Sequence, residues 1–132
     1  MEEFFTRDTA NEGKRVPLFA ADGSPTEHWL HVRSMQSDAF RIADNRAKRA
    51  ILQISQIEDP AERAATATRL QSELIASLIA DWSFDKECTL ENVVEFLTKA
   101  PQIEDMVNQL AASKTYFYAK KSTSSTDGSA EK

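Results

Sequence analysis

The sequence predicts a mainly α-helical protein, a small bundle of about four helices with an N-terminal β-hairpin, and three observations carry that reading. Apolar residues recur at spacings of three and four from Phe40 onward. Capping residues and prolines divide that run into separate helices at Asp59-Pro60, Thr89 and Pro101. The one stretch in which turn signals separate short strand-like runs lies ahead of them, between Lys14 and Arg33.

Residues 1–13 mix charge, Thr and Asn around Phe4 and Phe5, and read as an N-terminal arm that is ordered only if those two rings find a pocket. Residues 14–119 read as a single helical domain. It begins with two short runs, Arg15–Phe19 and Glu27–Arg33, on either side of Asp22-Gly23-Ser24-Pro25. Asp-Gly and Ser-Pro signal a turn, and Trp29, Leu30 and Val32 favour strand, so a hairpin is expected. Pro17 makes the first run an edge strand and leaves a sheet edge open to another chain.

Ser34 is the expected cap of the first long helix, whose core face is Phe40, Ala43, Ala47, Ala50, Ile51, Ile54 and Ile57. Arg41, Lys48 and Arg49 lie on the other side together with Ile42 and Leu52, two aliphatic residues of the kind a helix-to-partner contact requires. Asp59-Pro60-Ala61-Glu62 closes that helix and opens the next with an N-cap, a proline at the first helical position and a glutamate three residues after the cap. The second helix is expected to run to about Trp82, with Leu70, Leu74, Ile75, Leu78, Ile79 and Trp82 forming a stripe wide enough to need more than one neighbour. After a loop in which Phe84 turns inward, Thr89 caps a helix carrying Leu90, Val93, Val94 and Leu97 that stops before Pro101. Proline then opens the last helix, with Ile103, Met106, Val107, Leu110 and Phe117 in one stripe. Residues 120–132 carry no large apolar side chain and read as a disordered tail.

The composition bounds the function. The chain has 132 residues, enough for one modest core, and 21 acidic against 16 basic side chains, a balance that repels nucleic-acid phosphates and anionic membrane. No run approaches the roughly 20 apolar residues of a membrane span, and no signal peptide is visible. The single cysteine, Cys88, has no internal disulfide partner, which suits a reducing cytoplasm.

Candidate chemistry is sparse. His28 and His31, offset by three in a strand, point to opposite faces and cannot share a metal. Cys88 has no base beside it and reads as a small hydrophobe. Neither Gly13-Lys14 nor Asp22-Gly23-Ser24 matches a phosphate-cradling loop, and Glu104-Asp105 is explained by the helix dipole. No catalytic residue, cofactor or metal is expected, and the chain does not read as an enzyme. The basic side of the first long helix, Arg41, Arg46, Lys48 and Arg49, lacks interleaved aromatics and reads as solvated surface.

Two blocks resemble the tail assembly chaperones of long-tailed, siphovirus-type bacteriophages. The first is Glu27-His-Trp-Leu-His-Val-Arg-Ser-Met-Gln-Ser-Asp-Ala-Phe-Arg41, similar to that family's strand, arginine-containing segment and serine-aspartate helix start. The second joins Leu78-Ile-Ala-Asp-Trp82 to Thr89-x-Glu-Asn-Val-x-Glu-Phe-Leu97 and Pro101-x-Ile103, similar to its helix-ending tryptophan, threonine-asparagine helix start and proline-isoleucine pair. Many members place glycine or proline after the tryptophan, where this chain has Ser83-Phe-Asp-Lys-Glu-Cys88.

The resemblance implies a non-catalytic assembly factor that works in the host cytoplasm and is absent from the mature virion. It implies self-association into a homo-oligomer, open spiral geometry included, and coating of the tape measure protein. It also implies a longer product, made by a programmed frameshift near Lys120-Lys121, that recruits tail tube subunits. The candidate protein-interaction residues are Phe4, Phe5, Ile42, Leu52, Ile75, Ile79, Trp82 and Phe96. Core packing competes with that role for each of them and is the favoured reading for Trp82. The alternatives are a small helical protein-binding adaptor and a nucleic-acid-binding regulator using the first long helix.

Overall fold

A computed structural model describes residues 1–119; the expected tail at 120–132 lies outside the described residues. The fold is mainly α with a small antiparallel sheet near the N-terminus, as the sequence predicts. After a 3-10 turn at Glu2–Phe4, the elements are α1 (Arg7–Glu12), β1 (Lys14–Phe19), β2 (Pro25–Val32), α2 (Asp38–Ile54), α3 (Pro60–Ala76), β3 (Ile79–Trp82), α4 (Leu90–Lys99), α5 (Pro101–Ala112) and α6 (Lys114–Tyr118). The four long helices α2 to α5 are those expected, and the short α1 and α6 are added to them.

The sheet has three strands, in the order β1-β2-β3, where two were expected. The second helix therefore does not run to Trp82; it ends at Ala76, and Ile79–Trp82 pairs antiparallel with β2. A β-bulge explains the misreading. Leu30 faces Trp82, His31 faces Asp81 and Val32 faces Ile79, which leaves Ala80 as the extra residue. Ile79 and Trp82, three apart, thus share the buried face of a strand and imitate a helical spacing. Ser83 then prolongs the pairing, its hydroxyl accepting the Trp29 N–H at 2.8 Å.

β1 is an edge strand, with Pro17 opposite Trp29. Gly13 joins α1 to it at φ +70° and ψ −165°, a backbone region that is essentially glycine's own. A Cβ there would also lie 2.3 Å from the Val32 carbonyl oxygen, so the close approach of chain to chain requires glycine as well.

Local chemistry sets the helix boundaries. The hydroxyl of Ser37, not that of Ser34, caps α2 by accepting the Phe40 N–H at 3.3 Å; Ser34 lies one turn earlier and takes the Gln36 N–H at 3.1 Å. Asp59 caps α3 through the Glu62 N–H, Thr89 caps α4 through the Asn92 N–H, and Pro101 opens α5. Ser113 interrupts the last expected helix and caps α6.

The core lies between the buried face of the sheet and α3, α4, α5 and α6, with Leu30, Val32, Leu78, Val93, Leu97 and Val107 fully enclosed. Burial of a side chain of this size is worth about 1.5–3 kcal/mol. Helix α2 contributes much less than expected. Ala47 is its one buried residue, and Ile51, placed by the periodicity on the core face, is 55% exposed. From Lys48 to Gln71 no residue is buried, so the distal parts of α2 and α3 form a helical hairpin that projects beyond the core.

Candidate protein-binding surfaces

The projecting hairpin is the first surface. At 100° per residue, Ile42 and Leu52 lie about 140° to either side of Ala47, so both point away from the core. They are 61% and 71% exposed. Around them stand Arg41, Arg46 and Arg49, all exposed. Among the described residues none of these three makes an ion pair, whereas Lys48 is tied to Asp44 at 3.1 Å. A groove of about 200 Å³ runs between α2 and α3, lined by Ile42, Ala43, Arg46, Leu70, Leu74 and the exposed Leu90 of α4. It continues toward the hairpin tip past Ala50, Ile54, Ile57 and Thr66.

The second surface is an aromatic corner where β2, β3 and α4 meet. The ring of Trp82 meets Phe84 and Phe96 edge-on at centroid distances of 5.1 and 5.8 Å, and Phe84 lies 5.0 Å from Phe96 and 4.6 Å from His28. The Trp82 indole Nε1–H donates to the Lys86 carbonyl at 2.7 Å, which ties the Ser83–Cys88 loop to the sheet. A shallow depression beside Phe96 is edged by Lys86, Glu95 and Lys99. Both lysines reach the Glu95 carboxylate, at 2.7 and 3.3 Å, and their hydrogen bonds hold its pKa below the ordinary carboxylate value. A second depression on the other side of Phe84 and Phe96 reaches the exposed Phe19 of β1.

The arm is the third. Phe4 and Phe5 are 77% and 69% exposed, so the two rings have no pocket in their own subunit. The segment behind them is nonetheless ordered. Ala10 is fully buried, Arg7 reaches the Asp38 carboxylate at 2.9–3.1 Å, and Asn11 donates to it at 3.1 Å.

Of the eight residues singled out in the sequence, Phe4, Phe5, Ile42 and Leu52 are therefore exposed, and Phe96 is half-buried in the aromatic corner. Ile75, Ile79 and Trp82 are each at least nine-tenths buried and belong to the core, divided between α3 and β3. Ile51 was read as core and is instead surface, and Leu90, grouped in the sequence with Val93, Val94 and Leu97, is exposed on the groove. The contact of His28 with Phe84 has no signal in the sequence, because the sheet alone brings residues 28 and 84 together.

The polar candidates are dispersed. His28 and His31 lie on opposite faces of β2; His28 stacks on Phe84 near Ser83, and His31 hydrogen-bonds the Glu12 carbonyl. No cluster of His, Cys, Asp and Glu suited to a metal occurs among the described residues. Partial burial pushes the Cys88 thiol pKa up, with the Asp81 charge acting in the same direction, the reverse of what activates a thiolate. No described helix is long and apolar enough to cross a membrane.

Exposed aliphatic and aromatic side chains grouped in shallow grooves, on a scaffold of short helices, are surface of the kind that binds other proteins. The profile of the phage tail assembly chaperone family matches residues 11–114, from the end of α1 to the start of α6, and the chain belongs to that family. No curated protein and no solved structure matches the chain.

Proposed function

We propose that this tail assembly chaperone acts without catalysis, by self-associating and coating the tape measure protein in the host cytoplasm, and that it leaves before the virion is mature. The observation that carries this reading is the combination of family membership over residues 11–114 with a projecting helical hairpin whose Ile42 and Leu52 are exposed. A tape measure is a long helix with an apolar stripe, so its chaperone needs repeated shallow apolar contacts, each weak, that gain strength through multivalency. The hairpin and the aromatic corner are separate surfaces, which allows one to meet the next subunit while the other meets the client. A longer product with an extension past residues 120–132 would add the site that recruits tail tube subunits.

The test is to express the tape measure gene of the same phage with and without the native gene, the latter carried with its downstream DNA and an N-terminal tag. A soluble tape measure protein that co-purifies with the tagged chain is the expected result. A tape measure protein equally insoluble in both cases overturns the coating role. The masses of the tagged products report on the extension: a minor product joined in the −1 frame within 120–132 supports it, and a single product removes it.

A further inference from the structure

We infer that the N-terminal arm, residues 1–5, docks into the α2–α3 groove of a second copy of this chain, so that subunits join head to tail. The inference rests on the self-association proposed above and names the two surfaces that meet.

The distribution of exposed apolar side chains points to it. Among the described residues, the large apolar side chains that remain most exposed are Met1, Phe4 and Phe5 in the arm, Ile42, Ile51, Leu52 and Leu90 on or beside α2, and Phe19 on the sheet edge. Met1, Phe4 and Phe5 thus gather in the arm, while Ile42 and Leu90 both line the groove, and these two patches are opposite in charge. The arm carries Glu2 and Glu3, with Glu3 paired only to the terminal amine at 3.4 Å in full solvent exposure. Arg46 lines the groove and Arg49 stands at its outer edge, two turns along α2 from Ile42, and neither has an ionic partner among the described residues. The acidic Glu73 that also lines the groove is already held by Arg69 at 3.1 Å. Two phenylalanines beside two glutamates therefore match an apolar trough beside two arginines.

The lengths also agree. Once the Glu2–Phe4 turn opens on docking, five extended residues span about 17 Å, and the groove from Ile42 to Ile54 follows α2 for about 18 Å. In its own subunit the arm does not occupy that groove: α1 behind it is clamped to Asp38, and both rings stand in solvent. A reciprocal exchange of arms would close a dimer, whereas an arm that enters one neighbour while its own groove receives another makes the contact heterologous, with a free arm at one end and a free groove at the other; a wild type that stops at a dimer overturns the head-to-tail arrangement. Repetition of it builds an open chain of subunits.

The experiment is sedimentation of the full chain over a wide concentration range, at low and high salt, with circular dichroism on every variant. The wild type is expected to self-associate, more weakly in high salt. Replacing both Phe4 and Phe5 by Ser, or combining Ile42→Asp with Arg46→Glu, is expected to weaken association about tenfold or more without loss of helicity. Mixing the two variants is the decisive arm. One intact arm and one intact groove remain, so a 1:1 heterodimer that grows no further should form. If no heterodimer forms, or the arm variant associates like the wild type, the docking is overturned while self-association stands. A wild type that stays monomeric at every concentration overturns both.

Discussion

Asp38, the first residue of α2, receives the guanidinium of Arg7 from α1 in a forked contact, Nε at 3.1 Å from both carboxylate oxygens and Nη2 at 2.9 Å from one of them. Asn11 completes the clamp from both sides, its amide donating to the carboxylate and its carbonyl accepting the Asp38 N–H at 2.7 Å. The contact fixes the root of the arm to the base of the projecting hairpin, so it governs where Phe4 and Phe5 can go.

The Arg7 hydrogen bonds, with Asn11 and the Arg7 charge behind them, hold the Asp38 pKa below the usual carboxylate value. The stabilisation of the α1 contact is therefore fully present above the unfolded pKa of about 3.9 and is lost as pH falls through the lowered value. Amides of α1 should lose hydrogen-exchange protection in acid before those of α4 do. In Asp38→Asn they should be weakly protected already at neutral pH and show little further change on acidification. Equal pH dependence in the wild type and the variant would show that another group controls the contact.

Gly13→Ala should destabilise the protein by about 2 kcal/mol or more, because the substitution sets an L-residue in a glycine-only region of backbone space. The added Cβ would also collide with the Val32 carbonyl, which is backbone and cannot swing aside. Urea unfolding measures this directly. Gly23→Ala is the control: its φ of +90° carries strain, but nothing lies within 4 Å of an added Cβ, so its cost should be smaller.

Much of this architecture is legible in the sequence where the cause is local. Asp59-Pro60-Ala61-Glu62, Thr89 and Pro101 each place a helix start correctly, because a cap or an N1 proline acts on its own next turn. Ile79 and Trp82 mislead because a bulge at Ala80 gives a strand the spacing of a helix, and only pairing with β2 decides between the two. Ile51 misleads for a different reason. Periodicity defines a face but does not say whether anything lies opposite it, and α2 outruns the core. The same limit divides the candidate contacts: Ile42 and Leu52 could be placed by their angle to the alanines, whereas the burial of Ile75, Ile79 and Trp82 depended on a sheet the spacing concealed.

Ile42→Asp and Leu52→Asp should both weaken self-association and leave helicity unchanged, since each side chain is largely exposed in the free subunit. Ile42 lines the α2–α3 groove and Leu52 does not, so Ile42→Asp should have the larger effect, about 2 kcal/mol or some 30-fold in the dissociation constant. Sedimentation equilibrium gives both values. A monomer–oligomer balance unaltered by either change would exclude this face of α2 as an interface.

The aromatic corner should prove to be one cooperative unit. Phe84 comes from the loop after β3 and Phe96 from α4, and their rings meet at 5.0 Å while each also touches Trp82. Truncating either ring to Ala removes its contact with the other, so a double-mutant cycle of Phe84→Ala and Phe96→Ala should give a coupling of about 0.5–1.5 kcal/mol in urea unfolding. Trp82→Phe attacks the same unit by another route: it keeps most of the ring but removes the 2.7 Å hydrogen bond to the Lys86 carbonyl, at a cost of about 0.5–1.5 kcal/mol. If that hydrogen bond holds the loop in place, Phe84 should move with it, and the coupling between Phe84 and Phe96 should shrink when the cycle is repeated in the Trp82→Phe background. Strict additivity of Phe84→Ala and Phe96→Ala in the wild type would instead make the corner three independent contacts, with the loop free to move without disturbing α4.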